Sequence, residues 1–121
     1  MSKFPGGLFF NYNIGQIHSL INDKAISYVD ILNEYTQRSK KIDPKYHLWA
    51  SFDQKDIIKQ FQDNVLPTPK KSNISGIPVA VKDIFNTKSL PTQMGSPIWE
   101  NFMAGNDARV VHNLKEAGAI I

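Results

Sequence analysis

Apolar residues recur through the first sixty positions with the spacing of helices, and only later with the density of a buried strand. Asn13 can cap a short helix from residue 14 to about 22, with Ile14, Ile17, His18 and Ile21 on one face. Ser27-Tyr-Val-Asp30 has the form of a capping box, with Asp in the place of Glu or Gln. The helix it opens would run to about residue 41 and bury Val29, Leu32 and Tyr35, and Asp43-Pro44 would then break it. His47-Leu-Trp-Ala-Ser-Phe52 alternates loosely and predicts a short strand. Asp53 can cap a third helix to about residue 64, with Ile57, Ile58 and Phe61 inward. Residues 66–73 predict a polar loop punctuated by proline.

The pattern changes at Ile77-Pro-Val-Ala-Val81. This almost wholly apolar run, with Gly76 before it and a polar loop after it, predicts a buried strand. Lys82 stands at its exit, where a cation is costly unless it is solvated, paired or used. Lysine is also the cation that most readily becomes a neutral base when water is removed from it. Lys82 is therefore a candidate for acid–base chemistry, against the plainer reading of a strand-end lysine that reaches out into water. An irregular stretch from about residue 86 to 106 follows. Asp107 then caps a last helix whose apolar face is Val110, Val111, Leu114 and Ala117. Gly118 ends that helix, and Ala119-Ile-Ile121 begins another strand. Helix, glycine and apolar run together form half of a βαβ unit, whose strand needs neighbours on both sides. The expected organisation is the front part of a longer protein, with residues 1–121 the N-terminal, incomplete part of one domain.

Composition narrows the function classes. The formal charge is only +3, from 14 basic and 11 acidic residues that are interleaved along the chain. A nucleic-acid site would want a longer basic stripe with aromatic partners, so no nucleic-acid partner is expected. Cysteine is absent, which removes disulfide and thiolate chemistry and fits a reducing compartment. The N-terminus lacks the apolar core of a signal peptide, and no run approaches a membrane span. A soluble cytoplasmic protein without a membrane partner is the expectation.

Several chemical motifs can be set aside. Gly76 and Lys82 are spaced like the ends of a phosphate loop, but Val81 and Asp83 stand where Gly and Ser or Thr are needed. There is no Ser-x-x-Lys tetrad and no Gly-x-Ser-x-Gly elbow. His18, His47 and His112 lie far apart with no second ligand at metal spacing, so neither a metal site nor a cofactor is expected.

Four segments together carry a resemblance. Ser75-Gly-Ile-Pro-Val-Ala-Val-Lys-Asp83, Leu90-Pro-Thr-Gln-Met-Gly-Ser-Pro97, Asn106-Asp-Ala-Arg-Val-Val111 and Glu116-Ala-Gly-Ala-Ile-Ile121 resemble the N-terminal part of the amidase signature family, in its order and at about its spacing. The helical lead-in and Trp49-Ala-Ser-Phe52 fit the same pattern, so the resemblance covers nearly the whole chain. It implies an α/β fold: N-terminal helices, then the first part of an α/β/α sandwich around a mixed sheet, with residues 78–83 a central strand. It also implies chemistry on a small amide, through a nucleophilic serine, a second serine in a cis peptide bond, and a lysine. Lys82 matches that lysine, which in the family relays a proton with the bridging serine. Asp83 reads as structural, its carboxylate accepting backbone N–H groups of the next loop. Thr92, Gly95 and Ser96 read as shaping that loop where it returns toward the site, with contact to substrate or Lys82 the alternative, for which Gly95 and Ser96 are the candidates.

One departure matters. The glycine- and serine-rich segment that supplies both serines of the family lies downstream of residue 121. The resemblance thus implies a parent enzyme that hydrolyses an amide or transfers ammonia from glutamine, as the family's amidotransferase A-type subunits do. It also implies that the 121 residues alone are inactive. The competing class is a non-catalytic product or interaction module.

Overall fold

The computed structural model describes residue 9 and residues 11–65 and 71–121. Four α-helices and one 3₁₀ turn organise them. They are α1 (Ile14–Asn22), α2 (Tyr28–Tyr46), α3 (Gln54–Asn64), the 3₁₀ turn Pro97–Trp99, and α4 (Arg109–Glu116).

The first three helices start where short polar side chains satisfy their orphan N–H groups. Asn13 Oδ1 accepts from Gln16 N–H at 2.9 Å, and Gln16 Oε1 accepts from Asn13 N–H at 2.8 Å. Ser27 and Asp30 form the same reciprocal box at α2. Asp53 Oδ1 accepts from Lys55 and Asp56 at α3.

Burial on α1 and α2 differs from the sequence expectation. On α1, Ile17 is buried but Ile14 is exposed. On α2, Val29 and Tyr35 are exposed, and Ile31 and Thr36 are the buried positions. The cause is that α2 faces two partners. Ile31 turns toward α1 and joins Phe9, Ile17 and Ile77 in one core cluster, while Leu32 packs against a second cluster of Phe61, Val65 and Ile120. Tyr28 touches both clusters. Thr36 tolerates burial because its hydroxyl donates to the Leu32 carbonyl at 2.8 Å.

Helix α2 also runs past the expected stop and carries Pro44 inside its last turn. Proline there removes one N–H near a terminus that has few bonds left to lose. The ladder recovers at once, because His47 N–H donates to the Asp43 carbonyl at 2.8 Å. His47 then adopts a left-handed conformation (φ 49°) that ends the helix. Asp43 Oδ1 gathers the Leu48 and Trp49 N–H groups at 2.8 and 3.1 Å, which ties residues 47–52 down as irregular chain. The strand expected there is absent, because no neighbouring strand pairs with it among the described residues.

Residues 77–81 and 119–121 meet in parallel at a single bridge, Pro78 to Ile120. Ile120 N–H donates to the Ile77 carbonyl at 3.0 Å, and Val79 N–H donates to the Ile120 carbonyl at 2.8 Å. The expected full strand over 78–83 does not form among the described residues. Pro78 has no N–H, and past Val79 no partner continues the ladder. Ile120 is fully buried, whereas Val79, Val81 and Ile121 are half-covered.

Helix α4 begins without a side-chain cap. Asp107, expected to cap it, instead accepts from Lys88 N–H at 2.7 Å and forms an ion pair with Lys115 at 2.9 Å. Ala108 N–H donates to the Asn86 carbonyl at 2.9 Å, so both ends of the 86–108 loop are pinned to one place. Gly118 ends the helix at φ 90°, a conformation open to glycine, and Ile120 follows directly into the bridge. Most of the polar loop expected at 66–73 lies outside the described residues.

Candidate active site

Residues 78–83 form one wall of a cleft of about 720 Å³, facing α2, α3 and residues 48–53. Its lining is largely apolar: Leu32, Trp49, Phe52, Ile57, Val79 and Val81 supply much of the surface. Tyr35 lies in the α2 wall, where burial pushes its hydroxyl up; the Arg38 charge pulls it down and the Glu34 charge adds to the rise. Trp49 buries Nε1 with no acceptor.

Lys82 lies on the lining and its side chain is exposed. The dry surroundings expected of a base at the end of a buried strand are not supplied by the described residues. Its carbonyl accepts from Ile84 N–H at 2.7 Å and from Phe85 N–H at 3.0 Å, so the chain turns immediately after it.

Asp83 is half-buried and holds the next loop at two points. Its Oδ1 accepts from Gln93 N–H at 2.8 Å, and its main-chain carbonyl accepts from Met94 N–H at 2.9 Å. The loop that returns there carries two successive positive φ angles, 54° at Met94 and 66° at Gly95. Ser96 then opens the 3₁₀ turn, with Oγ accepting from Ile98 N–H at 3.4 Å. Thr92 is buried. Its N–H donates to the Phe102 carbonyl at 2.8 Å, and its hydroxyl makes a long 3.5 Å contact with the Phe85 carbonyl.

The candidates named from sequence thus divide in two. Lys82 and Asp83 line the cleft; Thr92, Gly95 and Ser96 do not, and their loop is tied to it by the clasp on Asp83 and by the Thr92 contact with Phe85. Two residues outside that set matter to the geometry. Gln93 accepts Asn101 N–H on Oε1 at 2.9 Å while its own N–H is held by Asp83, so it braces the returning loop. Gln60 holds both backbone groups of Ile121, accepting its N–H at 2.9 Å and donating to its carbonyl at 3.0 Å. Asp56 accepts from Gln60 Nε2 and Ser89 Oγ beside it. Apart from the i, i+4 pair Asp56–Gln60, these partners are 8 to 61 positions apart in the chain, which no local sequence pattern signals. Among the described residues no group of His, Cys, Asp and Glu could hold a metal ion.

A family model described as Amidase matches residues 30–121, three quarters of the chain. The chain belongs to the amidase family. A glutamyl-tRNA(Gln) amidotransferase A-type subunit from Coxiella burnetii is 36% identical over 110 residues, which is 89% of this chain and 23% of that protein. The protein of the same name from Nitrosospira multiformis is 30% identical over 112 residues, covering 91% of this chain and 23% of that one. A crystal structure of an amidase family protein from Bacillus anthracis superposes with a TM-score of 0.79 at 28% identity, over 93% of this chain and 23% of that one. That likeness is consistent with an α/β amidase fold. The amidase-family chain described here spans about 23% of the length of these relatives. No helix among the described residues is long and apolar enough to cross a membrane.

Proposed function

We propose that these residues form the N-terminal part of an enzyme that cleaves or transfers a small amide, with Lys82 as its general base. The observation that carries this reading is the position of Lys82. It lines the cleft three residues past Val79, where the Pro78–Ile120 ladder ends, inside the segment matched by the family model. In the mechanism the family resemblance implies, a neutral Lys82 Nζ takes the proton of a bridging serine. That serine in turn takes the proton of the nucleophilic serine as its Oγ attacks the amide carbon. The same path run backwards delivers the proton to the departing amine, and water then frees the acyl group. Both serines belong to the parent enzyme and lie outside these 121 residues.

The protein's own contribution is placement. The turn after Lys82 and the two-point hold of Asp83 on residues 93–94 fix where Lys82 leaves the 78–81 segment. Thr92, Gly95 and Ser96 shape the loop behind it. The apolar cleft wall would exclude water once the rest of the domain closes over it, and a base in such a site is the more easily kept neutral. The Pro78–Ile120 ladder is proposed as the seed of the mixed sheet in an α/β/α sandwich. The parent is proposed to be a cytoplasmic enzyme with a small-molecule substrate, with no membrane or nucleic acid held by this part and no cofactor.

The relatives from Coxiella burnetii and Nitrosospira multiformis favour a specific second reading, a glutamine-dependent amidotransferase of the A-type. The two readings separate in one assay of the parent enzyme. Ammonia release from glutamine that exceeds turnover of simple aliphatic and aromatic amides supports the amidotransferase; the reverse order supports a free-standing amidase. Lys82→Ala should remove either activity, by about 10²–10⁴-fold. Activity in the 121 residues alone would remove the need for the downstream serines and defeat both readings.

A further inference from the structure

Residues 92–102 form a loop that closes on itself. Thr92 N–H donates to the Phe102 carbonyl at 2.8 Å, which joins the two ends. Within the loop, Ser96 N–H donates to the Gln93 carbonyl, Trp99 N–H to the Ser96 carbonyl and Phe102 N–H to the Trp99 carbonyl, each at 3.0 Å. The Trp99 and Phe102 rings meet edge to face at 5.2 Å. Gln93 crosses the middle, where its Oε1 accepts Asn101 N–H at 2.9 Å. A compact loop with its ends bonded and its interior spanned by its own side chains moves as one piece.

That piece is fastened to the residue beside Lys82. Asp83 Oδ1 accepts Gln93 N–H, and the Asp83 carbonyl accepts Met94 N–H. Such a hold orients Asp83 only if the loop behind it is stiff. Met94 and Asn101 are both non-glycine residues with positive φ, at 54° and 60°. A residue keeps that conformation only where its surroundings over-determine it. For Met94 the fixed partner is the Asp83 carbonyl, and for Asn101 it is the Gln93 carboxamide. Gln93 belongs to both fastenings, because Asp83 holds its main chain and its side chain holds Asn101. All of these contacts lie within residues 83–102.

We infer that Gln93 is a positioning residue for the amide chemistry proposed above. Its carboxamide stiffens the 92–102 loop, the loop fixes Asp83, and Asp83 fixes the direction in which Lys82 leaves the chain. The role rests on the reading of Lys82 as general base. It adds a side chain that does not itself line the cleft. A base that must meet a serine hydroxyl at hydrogen-bond distance loses rate when its support loosens by about 1 Å.

The test compares two variants of the parent enzyme. Gln93→Met keeps the shape and removes the acceptor, while Gln93→Glu keeps an acceptor at the same reach. The substrate is whichever of glutamine and a simple aromatic amide the wild type turns over faster. Pre-steady-state measurement gives the rate constant of acyl-enzyme formation per active site and, separately, the burst amplitude, which counts folded sites. A variant that folds only in part therefore still reports its rate constant. Gln93→Met should lower that rate constant about tenfold, with amplitude and KM little changed. Gln93→Glu should restore most of the lost rate. A Gln93→Met enzyme with the wild-type rate constant overturns the positioning role, whether or not its amplitude falls; a fall in amplitude alone makes Gln93 a purely structural residue. Gln93→Glu as slow as Gln93→Met overturns it too, because the acceptor is then not what matters. In each of these cases the amidase reading stands as long as the wild type turns over amide and Lys82→Ala does not. A wild-type parent without amide turnover defeats that reading, and the role of Gln93 falls with it.

Discussion

Asp107 illustrates how one carboxylate can couple three segments. Burial by itself would raise its pKa. The hydrogen bonds from the Lys115 side chain and Lys88 N–H, with the charges of Lys115 and His112, outweigh burial and hold the carboxyl below its ordinary value of 3.8. The group is depressed on folding, so its contribution is present above the unfolded value and is lost as pH falls through the folded one. In the parent enzyme, stability between pH 6 and pH 3 should therefore fall further in the wild type than in Asp107→Asn. The difference should be no more than about 1 kcal/mol, the most one carboxyl can contribute over this range, read from urea midpoints at each pH. Equal losses would mean that the 86–108 loop is held without this carboxylate. At the same scale, Lys82 and Asp83 were visible in the sequence because a charge pair at the end of an apolar run stands out. Gln93 and Gln60 were not, since an amide side chain carries no pattern of its own and their partners are remote.

At the scale of elements, the legible features are the local ones. Asn13, Ser27 and Asp53 start their helices as expected because each cap needs only the next three residues. Gly118 stops α4 for an equally local reason. The features that sequence misplaced all needed information from afar. Asp107 had a competing partner in Lys115, Pro44 lay close enough to a helix end to be tolerated, and residues 47–52 and 77–81 lacked the neighbours that make a strand. The junction of the elements gives a sharp prediction at two glycines. A Cβ on Gly76 (φ 72°) would meet the Tyr28 ring, and one on Gly118 (φ 90°) would lie 2.8 Å from Ser75 Oγ. Alanine at either position should cost about 1–3 kcal/mol in the parent enzyme. Gly76→Ala should be the worse, because Tyr28 links both core clusters and cannot move alone. Denaturation midpoints equal to wild type would show that the Tyr28 junction is soft.

For the whole molecule, the described core is small and divided. Two clusters of buried residues share Tyr28, while Leu48, Ile84 and Ile98 stand half to almost fully exposed. Each such side chain left in water forgoes about 1.5–3 kcal/mol of burial, and a domain's whole margin is roughly 5–15 kcal/mol. A polypeptide of these 121 residues alone should therefore aggregate or behave as a loosely packed state, with dye binding to exposed apolar surface and a broad thermal transition. A sharp, reversible transition in the monomer would contradict this.

The central claim is that Lys82 gives up and takes back a proton, rather than serving as a fixed positive charge. Lys82→Arg in the parent enzyme tests it most directly, because a guanidinium keeps the charge but does not release its proton near neutral pH. The measurement is kcat and KM on the preferred amide, beside wild type, with the fold checked by circular dichroism. The expected result is a fall in kcat of about 10²–10⁴-fold with KM little changed. A variant that turns over at the wild-type rate would show that Lys82 is only a structural cation.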